Sequence, residues 1–258
     1  MKAKPSRAPT VGAKQKPRSQ TESQRLNRYI AQAGVCARRK ADELIKQGHI
    51  RINRQIIRTP GTQVQNQDNV YYKGRLLRAQ ALVYILLNKP RNCLCTCQDT
   101  HHRPTVFSLL PAHIDKRLFP VGRLDRNSTG LLLLTNDGAW AQQIAHPSFG
   151  LAKRYKITLY EPITQAALKQ LTQGIPLHEG TVKMQHLTPH DPHTLSLSLH
   201  IGYNRVLRRV FDALDYQIKR LDRTHIAFLD KKHLAQGQWR YLRANEIQKF
   251  GNPKPIPK

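Results

Sequence analysis

An aspartate set between two apolar strands is the residue in this sequence best placed to do chemistry. In FPVGRLDRNSTGLLLLTNDG, residues 119–138, an extended run delivers Arg123 and Asp125 to a loop. The loop is built from the turn formers Asn127, Ser128, Thr129 and Gly130. A wholly apolar strand follows, and Asn136-Asp137-Gly138 turns into a helix. A carboxylate on such a loop is firmly held yet reachable, which is where catalytic groups concentrate. Periodicity alone would sooner make Asp125 a turn or cap residue. A second constellation is Cys93, Cys95 and Cys97, near His101 and His102. Zinc sites pair cysteines two to four residues apart and need four ligands. This spacing fits poorly, so the expectation is no metal and reduced thiols along a half-buried strand at 93–97, as in a cytoplasmic protein.

The charge says what surrounds that aspartate. The 258 residues carry 43 Lys and Arg against 16 Asp and Glu, a formal net charge of +27. A chain this basic attracts polyanions. No apolar run approaches the roughly 18 residues that span a bilayer, so the expected partner is nucleic acid and not a membrane. Hydrophobic residues make up 39 %, enough for a core but with part of the chain left unpacked. That part is read as residues 1–22, a basic arm with three prolines and one acid that cannot bury enough surface to fold alone.

The elements follow from periodicity. Leu26, Tyr29, Ile30 and Ala33 recur at helical spacing until Gly34, and Ala37, Ala41, Leu44 and Ile45 make a second stripe. The opposite face of that second helix carries Arg38, Arg39, Lys40 and Lys46. Short strands are expected at 49–53, Val64 and Val70–Tyr72. Beyond residue 83 the spacing predicts strands at 83–87, 93–97, 118–124, 130–135, 154–160 and 195–201. Helices are expected at 138–145, 164–173, 204–214 and 244–250. Without a regular βαβ repeat, this order predicts an α+β fold on a mainly antiparallel mixed sheet. The expected divisions are an arm at 1–22, a small basic domain at 23–80, a larger domain at 83–250 and a tail at 251–258.

Residues 24–76, through RLNRYIAQAGVCARRKADELIKQGHIRIN, resemble the alpha-L RNA-binding domain. In that family the second helix and the loop after it hold the phosphates of folded RNA. The resemblance thereby implicates Arg38, Arg39, Lys40 and Lys46.

GRLDRNSTGLLLLTNDG resembles the signature of the ribosomal pseudouridine synthases of the small-subunit, RsuA-like family. Further along, Asn88-Lys-Pro, the RPTVF run at 103–107, Lys153-Arg-Tyr155, Asn204-Arg-Val-Leu-Arg-Arg209 and Gly237-Gln-Trp-Arg240 agree in order, so the likeness spans 24 to about 248. It implies an enzyme that flips a uridine of ribosomal RNA out of its stack and isomerises it through a carboxylate nucleophile, with no cofactor. Carried over residue by residue, it makes Asp125 the nucleophile, Arg208 its cationic partner and Tyr155 the ring against the base. Leu221 walls the pocket, and Arg123 opens the helix or holds phosphate. Residues 204–226 are loosely like large-subunit members, which favours large-subunit RNA, with transfer RNA as a further substrate.

Two departures stand beside Arg208. Val206, Leu207 and Val210 replace the family's Gln, Val and Met, and Ile201-Gly202-Tyr203 stands where the family often has Glu-Gly-Lys. These changes bear on RNA docking. Val206 and Val210 are the sole support for an alternative, a non-catalytic RNA-binding or ribosome-assembly factor on the same scaffold. A DNA-binding protein is a third reading that charge alone leaves open.

Overall fold

The computed structural model describes residues 23–251, except 98, 113, 115, 116, 147 and 148. The expected arm at 1–22, and the expected tail beyond Gly251, lie outside the described residues. The described residues divide into two compact units, one running to Val83 and including Arg117, the other holding the remainder from Tyr84. No helix of the described residues is long and apolar enough to cross a membrane.

The first unit opens with β1 (Gln24–Arg25), α1 (Leu26–Gln32) and α2 (Arg38–Lys46), then β2 (Ile50–Ile52), β3 (Gln55–Ile57), β4 (Gln63–Val64), β5 (Val70–Tyr72) and β6 (Arg75–Leu76). The apolar stripes of both helices are buried, and with Ile50, Val64 and Val70 they make one core. Gly34 ends the first helical run in the left-handed region, at φ +79°, a conformation that costs glycine nothing. Arg38, Arg39, Lys40 and Lys46 are all exposed, and Lys40 contacts Glu43 at 2.7 Å.

In the second unit, β7 (Tyr84–Lys89), β8 (Phe119–Val121) and β9 (Thr129–Thr135) precede α3 (Gly138–Ala145). Next come β10 (Lys153–Leu159), α4 (Gln165–Gln173), β11 (Ile175–Leu177), β12 (Gly180–Val182), β13 (Gln185–Asp191) and β14 (Thr194–Leu199). Then follow α5 (Val206–Asp212), β15 (Ile218–Ile226), β16 (Leu229–Asp230), β17 (Trp239–Tyr241) and α6 (Ala244–Lys249). Among the described residues one nine-stranded sheet runs β13-β14-β10-β15-β9-β7-β17, with β8 beside β9 and β16 beside β15. Its pairs are antiparallel except β9 with β15, which run parallel. The unit is therefore α+β on a mainly antiparallel mixed sheet.

The centre of that sheet explains why β7 and β9 read as unbroken apolar runs. Every residue of β9 is buried, and so are Ile85, Leu86 and Leu87, as strands covered on both faces require. Asp137 then caps α3, its side chain accepting from the amides of Ala139 and Trp140.

Two expectations are corrected. Residues 93–97 form no strand; a single bridge joins Leu94 to Thr105. Asn92, at φ +59°, breaks the extended run, so Cys93, Cys95 and Cys97 share no strand face and are buried, half-buried and exposed in turn. Conversely, β15 was not expected, because Lys219, Arg220, Asp222 and Arg223 hide its alternation.

The parallel seam between β9 and β15 pairs Gly130 with Arg223. Gly130 sits at φ +106°, and a Cβ there would lie 2.2 Å from the Arg223 carbonyl oxygen. Backbone cannot yield as a flexible side chain can, so only glycine fits. Gly130→Ala should destabilise the protein by more than about 2 kcal/mol, read as a drop in the urea midpoint or in Tm.

Candidate active site

Asp125 owes its position to the strands on either side of it. β8 ends at Val121, Gly122 after it adopts φ +73°, and the chain turns through Arg123 and Asp125. The Ser128 amide closes the turn on the Asp125 carbonyl at 3.1 Å, after which Thr129 enters β9.

Beneath this loop lies the side chain of Lys89, at the end of β7 and 0 % exposed. Its ammonium donates to the carbonyls of Ser128 at 2.7 Å, Pro90 at 2.9 Å and Arg126 at 3.1 Å. An ammonium has three hydrogens, and three carbonyls take them. Burial pulls the Lys89 pKa below its ordinary value. Two of the three carbonyls belong to the loop that carries Asp125, so this cation clamps the loop to the sheet. The neighbouring Asn88 donates to the Leu234 carbonyl at 2.7 Å. Its backbone exchanges hydrogen bonds with Gly237 and Gln238, which places Asn88-Lys-Pro against Gly237-Gln-Trp-Arg240. Two stretches about 150 residues apart in sequence thus form one support.

The Asp125 side chain is 32 % exposed and meets two guanidinia at Oδ2, Arg205 Nη1 at 3.3 Å and Arg208 Nε at 3.4 Å. Arg208 also donates to the Ile218 carbonyl at 3.4 Å, which aims its plane from a second side. Arg205 begins α5 in the left-handed conformation, φ +48°, a strained state for a side-chain-bearing residue that is often kept at functional sites. These contacts are longer than the roughly 2.8 Å of a tight charge-assisted bond. Asp125, Arg123 and Arg205 line one cavity of about 640 Å³. On its far wall Arg103 is tied to Asp99 at 2.6 Å. The hydrogen bonds from Arg103 hold the Asp99 carboxyl well below the usual range.

Behind the aspartate the site is apolar. Leu124, Tyr155, Leu221 and Val206 belong to one buried cluster. Tyr155, 8 % exposed, lies on β10 opposite Arg223, and the next inward pair is Ile157 with Leu221. The structure brings Arg208 against Asp125 and Arg123 into the same cavity as Asp125, whereas Tyr155 lies in the apolar cluster with Leu124 and Leu221, and Leu221 lines a separate cavity with Lys156 and Lys231. The four basic residues of α2 belong to the first unit. Val206 and Val210 are core residues against this cluster, so the departures from the family's motif there fill volume and open no polar gap.

Sequence reasoning passed over Lys89, Arg205 and Arg223. A lysine closing an apolar strand was the available signal for Lys89. Arg223 lay in the strand that charge concealed. It is 3 % exposed, its Nε donates to the Leu131 carbonyl at 2.7 Å, and its Nη2 is buried without a partner among the described residues. Among the same residues no group of three or more metal-ligating side chains occurs.

The comparisons with known proteins agree with this architecture. Residues 24–70 match the S4 domain, and residues 83–213 match the family described as RNA pseudouridylate synthase. An S4 domain ahead of an α+β sheet that presents a carboxylate between arginines defines an RNA-modifying enzyme. The chain belongs to the RNA pseudouridylate synthase family, and its activity is that of an RNA pseudouridine synthase, an isomerase. It is 35 % identical over 233 residues to the ribosomal large subunit pseudouridine synthase B of Bacillus subtilis, covering 88 % of this chain and 95 % of that protein. With the dual-specificity RNA pseudouridine synthase RluF of Escherichia coli it shares 34 % over 228 residues, 87 % of this chain and 77 % of that one. A crystal structure of a pseudouridylate synthase superposes with a TM-score of 0.65 at 30 % identity, covering 88 % of this chain and 99 % of that one.

Two predictions follow from the buried cations. Replacing Lys89 with Met leaves three carbonyls, that of Ser128 fully buried, without their donor, and should cost more than about 2 kcal/mol in urea unfolding. It should also speed proteolytic cleavage of the loop at 123–128. Lys153, at the start of β10, has its pKa lowered from 10.5 to about 8, first by burial and then by Arg223. Above pH 8 the folded chain gives up a proton that the unfolded chain keeps until about 10.5, so the unfolded state binds more protons and stability rises with pH. Relative to Lys153→Met, the wild-type Tm should therefore gain between pH 8 and 10.5. A constant difference over that window would rule the titration out.

Proposed function

We propose that this enzyme isomerises a uridine of ribosomal RNA, in the large subunit rather than the small, with Asp125 as nucleophile. The observation that carries the reading is the placement of Asp125, half-open in a cavity, paired with Arg205 and Arg208 on a loop clamped from below by Lys89. The name of the Bacillus relative supports the large subunit. The dual-specificity name of the Escherichia coli relative keeps transfer RNA as a further substrate.

In this reading the Asp125 carboxylate bonds either to C1′, breaking its bond to N1, or to C6 of the ring. On either route the N1–C1′ bond breaks, the freed base turns and C5 joins C1′, and the bond from Asp125 to C1′ or C6 breaks to restore the carboxylate. C5 loses its proton and N1 gains one, so the product is an isomer and no external oxidant or reductant takes part. Arg208 orients the carboxylate. Tyr155 presents its ring to the uracil, Leu221 closes the wall behind it, and Arg123 holds phosphate beside the flipped nucleotide. Arg38, Arg39, Lys40 and Lys46 grip the backbone of folded RNA, where recognition rests on shape and phosphates. The residues described need no metal or redox cofactor for these steps.

The test is a pseudouridine map of ribosomal RNA from cells with and without the gene. One large-subunit site should vanish on deletion, return with the wild-type gene and stay absent with Asp125→Asn. In vitro, Asp125→Asn should bind RNA within about threefold of wild type and release no product. Product formation by that variant would refute the nucleophile. A lost site in transfer RNA alone would move the substrate there.

A further inference from the structure

Tyr203 stands on the rim of the cavity that holds Asp125, with Arg123 and Arg205 lining the same space. It is 38 % exposed, so part of its ring is open to the solvent of that cavity. Its backbone already has a task, since its carbonyl accepts from the Val206 amide at 3.3 Å and opens α5. The side chain is free of that role.

We propose that Tyr203 is a stacking platform for the nucleobase beside the flipped uridine, and so a determinant of how tightly RNA is held at the site. This inference rests on the reading of Asp125 as the centre of the reaction. Taking a uridine out of a stack leaves its neighbour with one bare face, at an unstacking cost of a few kcal/mol. A tyrosine at the mouth covers that face, and any base offers a π surface to it. Tyr155 lies in the buried cluster behind Asp125 and serves the flipped base itself, so the two aromatics act on successive nucleotides. Arg123 and Arg205 line the same cavity and draw the neighbouring phosphates toward it. A single strand passing the cavity mouth therefore meets both cations and the ring.

The test compares wild type, Tyr203→Ala and Tyr203→Phe on an unmodified large-subunit ribosomal RNA transcript, following tritium released from C5-labelled uridine. In parallel, binding of a fluorescein-labelled short oligouridylate is read by anisotropy. Tyr203→Ala should raise KM about tenfold, as for one lost base–aromatic stack, with kcat within about twofold and an unchanged Tm. Its affinity for the oligouridylate should fall by a similar factor. Tyr203→Phe keeps the ring and should restore both. If Ala leaves KM and oligouridylate binding at wild-type values, or if Phe behaves as Ala does, the platform is refuted. If wild type itself releases no tritium from the transcript, the substrate reading fails instead, and the oligouridylate arm alone decides the role of Tyr203.

Discussion

A single buried ammonium holds the working part of this enzyme in place. Lys89 sits at the end of an apolar strand where a charge is costly, and remains there because each of its three hydrogens meets a carbonyl oxygen. Two of those oxygens belong to the loop that presents Asp125. The loop has no regular secondary structure of its own and could not hold a carboxylate to the tolerance that catalysis demands. Tied to β7 through Lys89, and continuous with the fully buried β9, it inherits the rigidity of the centre of the sheet.

That arrangement divides the labour of charge. The chain is strongly basic, which favours any polyanion without discriminating among them. Specific chemistry requires one negative group amid this excess, kept accessible. The two arginine contacts to Asp125 are long and partly solvated, so the carboxylate is oriented without being locked into tight pairs. By contrast, Arg240 grips Glu246 through two bonds of 2.7 Å, a structural pairing beside β17. The same residue types serve opposite ends, and distance and exposure tell them apart.

The sheet's one parallel seam is equally consequential. It brings β15 against β9 at Gly130, so that the strand carrying Leu221 and Arg223 runs beside the end of the Asp125 loop. The close approach that excludes a side chain at Gly130 puts Leu221 in the same apolar cluster as Leu124 and Tyr155.

Much of this was legible in the sequence. Long apolar runs at 84–89 and 129–135 announce buried strands, since only strands covered on both faces lack alternation. The helical stripes at 26–33 and 37–45 announce the first unit in the same way. The run from Gly122 to Gly138, through its likeness to a family signature, marked the aspartate. What the sequence could not express were contacts between distant segments. The pairing of Asn88-Lys-Pro with Gly237-Gln-Trp-Arg240, the three carbonyls around Lys89 and the reach of Arg205 to Asp125 depend on how strands are ordered in a sheet, which local periodicity does not encode. β15 escaped detection because a central strand that carries function also carries charges, and these erase the alternation by which strands are read. Residue types and spacing determined which group could react. Only the tertiary structure decided what holds that group still, because a buried charge is stabilised by partners that adjacency in the chain never supplies.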